Sequence, residues 1–324
     1  MTTALTVDVR IKPGDRRALL ERDVREGLTK EAKSLPAVWF YDERGSELFD
    51  EITRLPEYYP TRAERAILVP YADEIATAAK ADTLVELGSG TSEKTRTLLD
   101  AMARTGELVR FVPFDVSEEI LRDAARDIAA AYGIEVSAVV GDFNRHLDAI
   151  PRDGRRLVAF LGSTIGNFTP TQRNRFYVDL DCNMDYEDRL LLGTDLVKPV
   201  PRLLAAYDDS AGVTAAFNRN VLSVLNAELG GNFDLDAFEH VAVWNEQERW
   251  IEMRLRARTA QTVDLASLDL RVHFEQGETL LTEISAKFTR GQVQDELWEA
   301  GFVVDQTWTD PDGDFLLTLA RPYC

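Results

Sequence analysis

From about residue 62 onward, short apolar runs alternate with stretches of amphipathic helical spacing. "TLVELGSG", "FVPFDVS", "VSAVVGDF", "RLVAFLGSTIGN" and "DRLLLGTDL" predict strands, and "EEILRDAARDIAAAY" and "TPTQRNRFYVDL" predict helices between them. That alternation predicts a parallel, doubly wound, Rossmann-like α/β sheet. It is interrupted after Asp195, where "VTAAFNRNVLSVLNAEL" predicts a helix and "WIEMRLRARTAQTVDL" reads as strand. It resumes in "TEISAKFTRGQVQDELWEAGFVVDQTWTDPDGDFLLTLAR" as a strand, a helix and an antiparallel hairpin closed by "DPDGD". Before residue 62, "DRRALLERDVREGLT" has helical spacing, and the aromatic, proline-punctuated "KSLPAVWFYDERGSELFDEITRLPEYYPTRAE" reads as irregular. The expected organisation is a discontinuous sheet domain, 62–196 and 287–324, and a second α+β domain made of 1–61 and 197–286.

Composition narrows the class. A chain of 324 residues with 45% hydrophobic and 29% charged residues is ordinary for a globular protein with a substantial core. Its net charge of −19 disfavours a polyanionic partner, so nucleic acid is not expected. The short "GRR" at 154–156 reads as a solvated turn before a strand. The opening "MTTALTVDVRIKPGD" lacks the features of a secretory signal, and no apolar run reaches membrane-spanning length. Two cysteines, Cys182 and Cys324, make neither a disulfide framework nor a metal-ligand cluster, and Cys324 reads as an exposed tail thiol. A monomeric cytoplasmic protein without membrane contact is expected. The spacing of His146, His240 and His273 suits no shared metal, and they read as structural or surface residues.

The chemistry concentrates where predicted strands end. In "LVELGSGTSEKT" an apolar run stops at Glu86, then Gly88 and Gly90 bare the backbone ahead of a helix whose first N–H groups are free to donate. The next strand ends at Asp115, an acceptor suited to a ribose diol. The third ends at Asp142 and Phe143, which suit an adenine amine and its ring. Ligands of open parallel sheets bind beyond the carboxyl ends of the strands, so these groups point to one crevice. The loop lacks the third glycine of GxGxxG and a basic residue for pyrophosphate, which favours a lone nucleoside over a dinucleotide. The acidic form of the motif, and the terminal hairpin, resemble class I S-adenosylmethionine-dependent methyltransferases. The implied ligand is a cationic sulfonium nucleoside, its aminoacyl arm near the glycines and its ribose at Asp115.

A closer resemblance runs from about residue 15 to about residue 321. "LPEYYPTRAE", "LVELGSGTSEKTR", "FLGSTIGN", "AYDDSAGVTAAFNRNVL", "IEMRLRA" and "LLTEIS" are similar to the histidine-specific Nα-methyltransferases of ergothioneine biosynthesis, which form hercynine. The resemblance implies trimethylation of the α-amine of L-histidine, S-adenosyl-L-methionine as cofactor, and an added substrate domain. It implies that Asn167, Tyr58 and Tyr207 grip the carboxylate and α-amino end, with Tyr41 near the amine and Asn167 and Tyr41 contributing to catalysis. Glu283 and Ser285 would hold the imidazole, with Thr214 behind and Met253 shaping the wall. Gly88, Lys94, Asp115, Asp142 and Phe143 would hold the cofactor; no metal is implied.

Methyl transfer needs a neutral, well-aimed nitrogen more than a strong base. A cationic sulfonium beside the amine disfavours the protonated amine. Without the resemblance, Met253 is a core residue, Tyr58 packs a proline-rich loop, Asn167 is an αL turn residue, and Asp115 and Asp142 cap helices. Two alternatives stay open: a methyltransferase for another amino acid or small amine, and a non-catalytic binder of the cofactor.

Overall fold

The computed structural model describes residues 4–90, 92 and 94–323. The chain forms two compact units, one containing the chain up to Lys12, Pro60–Val197 and the chain from Phe288, the other Pro13–Tyr59 and Lys198–Lys287. Six strands come first: β1 (Leu5–Val9), β2 (Thr83–Leu87), β3 (Arg110–Asp115), β4 (Glu135–Val140), β5 (Arg156–Phe160) and β6 (Arg189–Asp195). The second unit supplies β7 (Phe238–Asn245), β8 (Trp250–Ala257), β9 (Gln261–Leu265), β10 (Leu270–Phe274) and β11 (Thr279–Ala286), and the chain closes with β12 (Phe302–Thr309) and β13 (Phe315–Pro322).

The first unit is built on one sheet ordered β1-β4-β3-β2-β5-β6-β13-β12. Its pairs are parallel from β1 to β6 and antiparallel where β13 joins β6 and β12. Every residue of β2 and β5 is buried, as expected of strands covered on both faces. Leu84, Phe111, Val136, Leu157 and Leu191 of the sheet share a core with Ile67, Leu98 and Leu121 of the helices Pro60–Ala79, Thr95–Thr105 and Glu118–Tyr132. Local chemistry sets the element ends. Thr169 and Gln172 form a reciprocal capping box at helix Pro170–Asp181. The Asp310 carboxylate accepts from the backbone N–H groups of Asp312, Asp314 and Phe315 and so closes the turn between β12 and β13.

The second unit packs the three-stranded antiparallel sheet β11-β8-β7 and the hairpin β9-β10 around helix Val213–Leu229. Phe217, Leu222 and Leu225 of that helix share a core with Phe40, Phe238, Ile251 and Leu255.

Several expectations need correction. Residues 1–61 do not all belong to the second unit, because β1 pairs in parallel with β4 at the edge of the large sheet. The stretch read as irregular contains helix Glu43–Thr53, started by Asp42, whose carboxylate accepts from the Gly45 N–H at 2.7 Å. "WIEMRLRARTAQTVDL" is two strands, β8 and β9, separated by a turn. Arg156 of "GRR" is no solvated turn residue: it is buried at the start of β5, its Nε donating to Asp188 at 3.0 Å. A guanidinium with a buried carboxylate partner is the circumstance in which arginine tolerates the interior. Cys182 is an exposed free thiol, and Cys324 lies outside the described residues. Among the described residues, no helix is long and apolar enough to cross a membrane.

Candidate active site

The strand order of the first unit reverses at β2 and β5, the switch point at which doubly wound sheets bind ligands. Gly88 and Gly90, just beyond β2, have φ of +73° and +49°, and an added Cβ would meet nothing within 4 Å at either. Backbone conformation, rather than crowding, is what calls for glycine there. The Gly88 N–H donates to the Phe114 carbonyl at 2.8 Å, tying the loop to the end of β3. Asp115 accepts from the Gly90 N–H at 2.9 Å and the Ser117 N–H at 3.0 Å. Burial raises its carboxyl above the ordinary value, against the pull of those donors.

Glu86 is buried, and burial pushes its carboxyl up to about 8, with Thr95 and Lys94 opposing. Glu86 Oε2 and the hydroxyls of Ser89 and Ser92 are buried with no hydrogen-bond partner among the described residues. Buried polar groups in native proteins are ordinarily satisfied, so such a cluster at the end of β2 and the loop after it marks where a polar, cationic ligand fits.

Lys94 Nζ donates to Glu64 Oε2 at 2.8 Å, and Glu64 Oε1 accepts from the Gly162 N–H at 2.6 Å. Burial alone would lower the Lys94 ammonium, but Glu64 outweighs it and holds its pKa above the usual value. Glu64 is wholly buried, and a Cβ on Gly193 would lie 2.7 Å from Glu64 Oε1, so a glycine in β6 makes its room. Beyond β4, Asp142 Oδ1 accepts from the Asn144 backbone and side chain at 2.9 and 3.0 Å. The Asp142 N–H donates to His146 Nδ1 at 3.1 Å, which makes this histidine a brace for the turn. Phe143 stacks edge-on to Phe160 at 5.3 Å and also meets Phe168 and Phe176. Asn167 ends the 3₁₀ turn Thr164–Asn167, and the αL residue there is Ser163, φ 59°. Asn167 is therefore not a left-handed turn residue.

In the second unit, Tyr41, Phe49, Tyr58 and Tyr207 form a continuous aromatic line, with successive ring centroids 5.8, 6.4 and 6.3 Å apart. Glu283 of β11 stands opposite Met253 of β8, just past a bulge, and Met253 is buried. Burial pushes the Glu283 carboxyl up to about 7, with Lys287 opposing. Ser285 Oγ lies 2.7 Å from Tyr207 Oη, and Lys287 Nζ donates to both, at 2.9 and 2.8 Å. Thr214 is buried near the start of helix Val213–Leu229, its N–H donating to Asp209 Oδ1 at 2.7 Å. His240 is buried, which lowers its pKa. Thr282 Oγ1 donates to Asn218 Oδ1, Asn218 Nδ2 donates to His240 Nδ1, and His240 Nε2 donates to the Tyr207 carbonyl. That relay assigns the neutral Nε2–H tautomer and pins the end of helix Val200–Tyr207. His273 is exposed, 3.1 Å from Thr262 Oγ1.

Sequence reasoning overlooked Glu64, Lys287 and the His240 relay. Lys287 had a signal, since it continues the alternation Glu283, Ser285, but it stands one residue past the strand. Glu64 had none, because its partners lie far along the chain.

Residues 20–322 match the family model of SAM-dependent, histidine-specific methyltransferases. The chain belongs to that family. It is 63% identical over 302 residues to the histidine N-alpha-methyltransferase of Mycolicibacterium smegmatis, covering 93% of this chain and 94% of the relative. It is 59% identical, with the same coverage, to the histidine N-alpha-methyltransferase of Mycobacterium tuberculosis. The ergothioneine biosynthesis protein 1 of Schizosaccharomyces pombe is 33% identical over 242 residues, 71% of this chain and 31% of that protein. The cofactor of this methyltransferase is S-adenosylmethionine, and the polar atoms around Glu86 that lack a partner among the described residues fit such a cation.

Proposed function

We propose that this chain trimethylates the α-amino group of L-histidine to hercynine, in ergothioneine biosynthesis, as a monomeric cytoplasmic enzyme. Bound S-adenosylmethionine supplies an electrophilic methyl group on a sulfonium. The observation that carries the substrate reading is the polar cluster Glu283, Ser285, Tyr207 and Lys287 set into the apolar core of the second unit. A carboxylate beside a hydroxyl matches the N–H and the lone pair of an imidazole, and a site built to hydrogen-bond rejects side chains that cannot.

In the first unit, Asp115 is proposed to accept from the ribose hydroxyls, and Asp142 and Phe143 to meet the adenine. Gly88, Lys94 and Glu86 would face the aminoacyl arm, Lys94 toward its carboxylate and Glu86 toward its positive charge. In the second, Tyr58 is assigned to the amino acid's polar end and Tyr207, its hydroxyl engaged by Ser285 and Lys287, to the wall between that end and the ring, while Thr214 lies behind the ring, Met253 shapes the wall, and Tyr41 receives the amine. Asn167, in the first unit, has an amide suited to a carboxylate or an amine. Catalysis in this reading is orientation: the amine is held neutral and aimed, and no strong base is needed.

The test incubates purified protein with S-adenosylmethionine and L-histidine and follows mass. Trimethylated histidine is expected. Cofactor binding without any methylated product would favour the non-catalytic alternative.

A further inference from the structure

Lys287 is almost fully buried, on the side of β11 that carries Glu283 and Ser285, and the chemistry of methyl transfer gives it no task. An ammonium only donates, so Tyr207 Oη and Ser285 Oγ, which it meets, are acceptors toward it. Those two oxygens are also bonded to each other. The phenol is the more acidic hydroxyl and the better donor, which directs Tyr207 O–H to Ser285 Oγ. Ser285 then accepts from both Lys287 and Tyr207, its lone pairs are used, and its own hydrogen has to point elsewhere.

We propose that Lys287 is a positioning residue for imidazole recognition, one that makes Ser285 an obligate donor toward the unprotonated ring nitrogen of the substrate while Glu283 accepts the ring N–H. The proposal rests on the reading of histidine as substrate and deepens it. Residues two apart on a strand lie roughly 6.5–7 Å apart, enough for a five-membered ring to meet both side chains. A site so polarised selects one acceptor and one donor on the ring rather than ring shape alone.

The test compares L-histidine with pyrrol-2-yl- and pyrrol-3-ylalanine, which keep one ring N–H and lack the ring lone pair. Wild-type protein is expected to prefer histidine by roughly 30-fold or more in kcat/KM. In Lys287→Met that preference is expected to shrink about tenfold, mainly through the KM for histidine, with cofactor Kd unchanged. Lys287→Arg, which keeps a cationic donor, is expected to recover part of it. A merely structural lysine would lower all three amino acids alike and leave the preference intact, which would overturn the proposal. If both variants fail to fold, ¹⁵N-lysine NMR of the wild-type protein decides. A protected ammonium signal that shifts on adding histidine is expected, and a neutral amine or an unmoved signal would overturn it. Wild-type protein inactive on histidine overturns both this proposal and the functional reading; activity on histidine with an unaltered preference in Lys287→Met overturns this proposal alone.

Discussion

Two polar clusters, one in each unit, differ in how far their groups are already partnered. In the first, Glu86 Oε2 and the Ser89 and Ser92 hydroxyls are buried without partners among the described residues. In the second, Tyr207, Ser285 and Lys287 are bonded to one another, and Thr282, Asn218 and His240 form a relay that ends on the Tyr207 backbone. Buried groups with unmet bonds mark a place that a ligand completes, whereas a bonded network holds its side chains in position before the ligand arrives. The first suits a cofactor shared by many methyltransferases, and the second suits discrimination among amino acids that share the same reacting group.

The sharpest way to break this contrast is Glu283→Ala. It is expected to lower kcat/KM for histidine by roughly 1,000-fold, to relax selectivity toward apolar aromatic amino acids, and to leave cofactor Kd unchanged in calorimetry. Unaltered histidine kinetics would remove Glu283 from recognition. Asp115→Ala should act on the other side, raising cofactor Kd by about 30-fold, the scale of a lost charge-assisted hydrogen bond, with little change in KM for histidine at saturating cofactor.

A smaller effect comes from Glu86. Its carboxyl titrates at about 8, so it is largely protonated at neutral pH, and a cationic ligand beside it lowers that pKa. Cofactor binding should then release protons, and affinity should rise with pH from about 6 toward about 8. Calorimetry in buffers of different ionisation enthalpy measures the release; Glu86→Gln should abolish it and flatten the pH dependence. The smallest expected effect on function is that of Thr169→Ala, which removes a helix cap and should cost about 1 kcal/mol in denaturant unfolding with no change in either binding constant.

The sheet was legible because buried parallel strands read as apolar runs and because their carboxyl ends carry Glu86, Asp115 and Asp142 beside glycine or a turn. The family motifs single out Tyr58, Tyr207, Met253, Glu283 and Ser285, and the structure places Glu283 across from Met253 and bonds Tyr207 to Ser285. What escaped were features made by long-range pairing. Glu64 matters through Lys94 and Gly162, and nothing in its own helix announces either. β1 is a five-residue strand that pairs with β4 at the sheet edge, so its short alternation is decided by tertiary pairing. Arg156 looked like surface charge because its partner, Asp188, lies beyond a whole intervening helix.

The most direct measurement is a competition in which limiting enzyme and S-adenosylmethionine meet an equimolar mixture of the twenty amino acids, with every methylated product resolved by mass spectrometry. Consumption of histidine alone, ending in its trimethylated form, is the predicted result. Preferential methylation of any other amino acid would leave the fold and cofactor intact and contradict the assignment of the second unit to histidine.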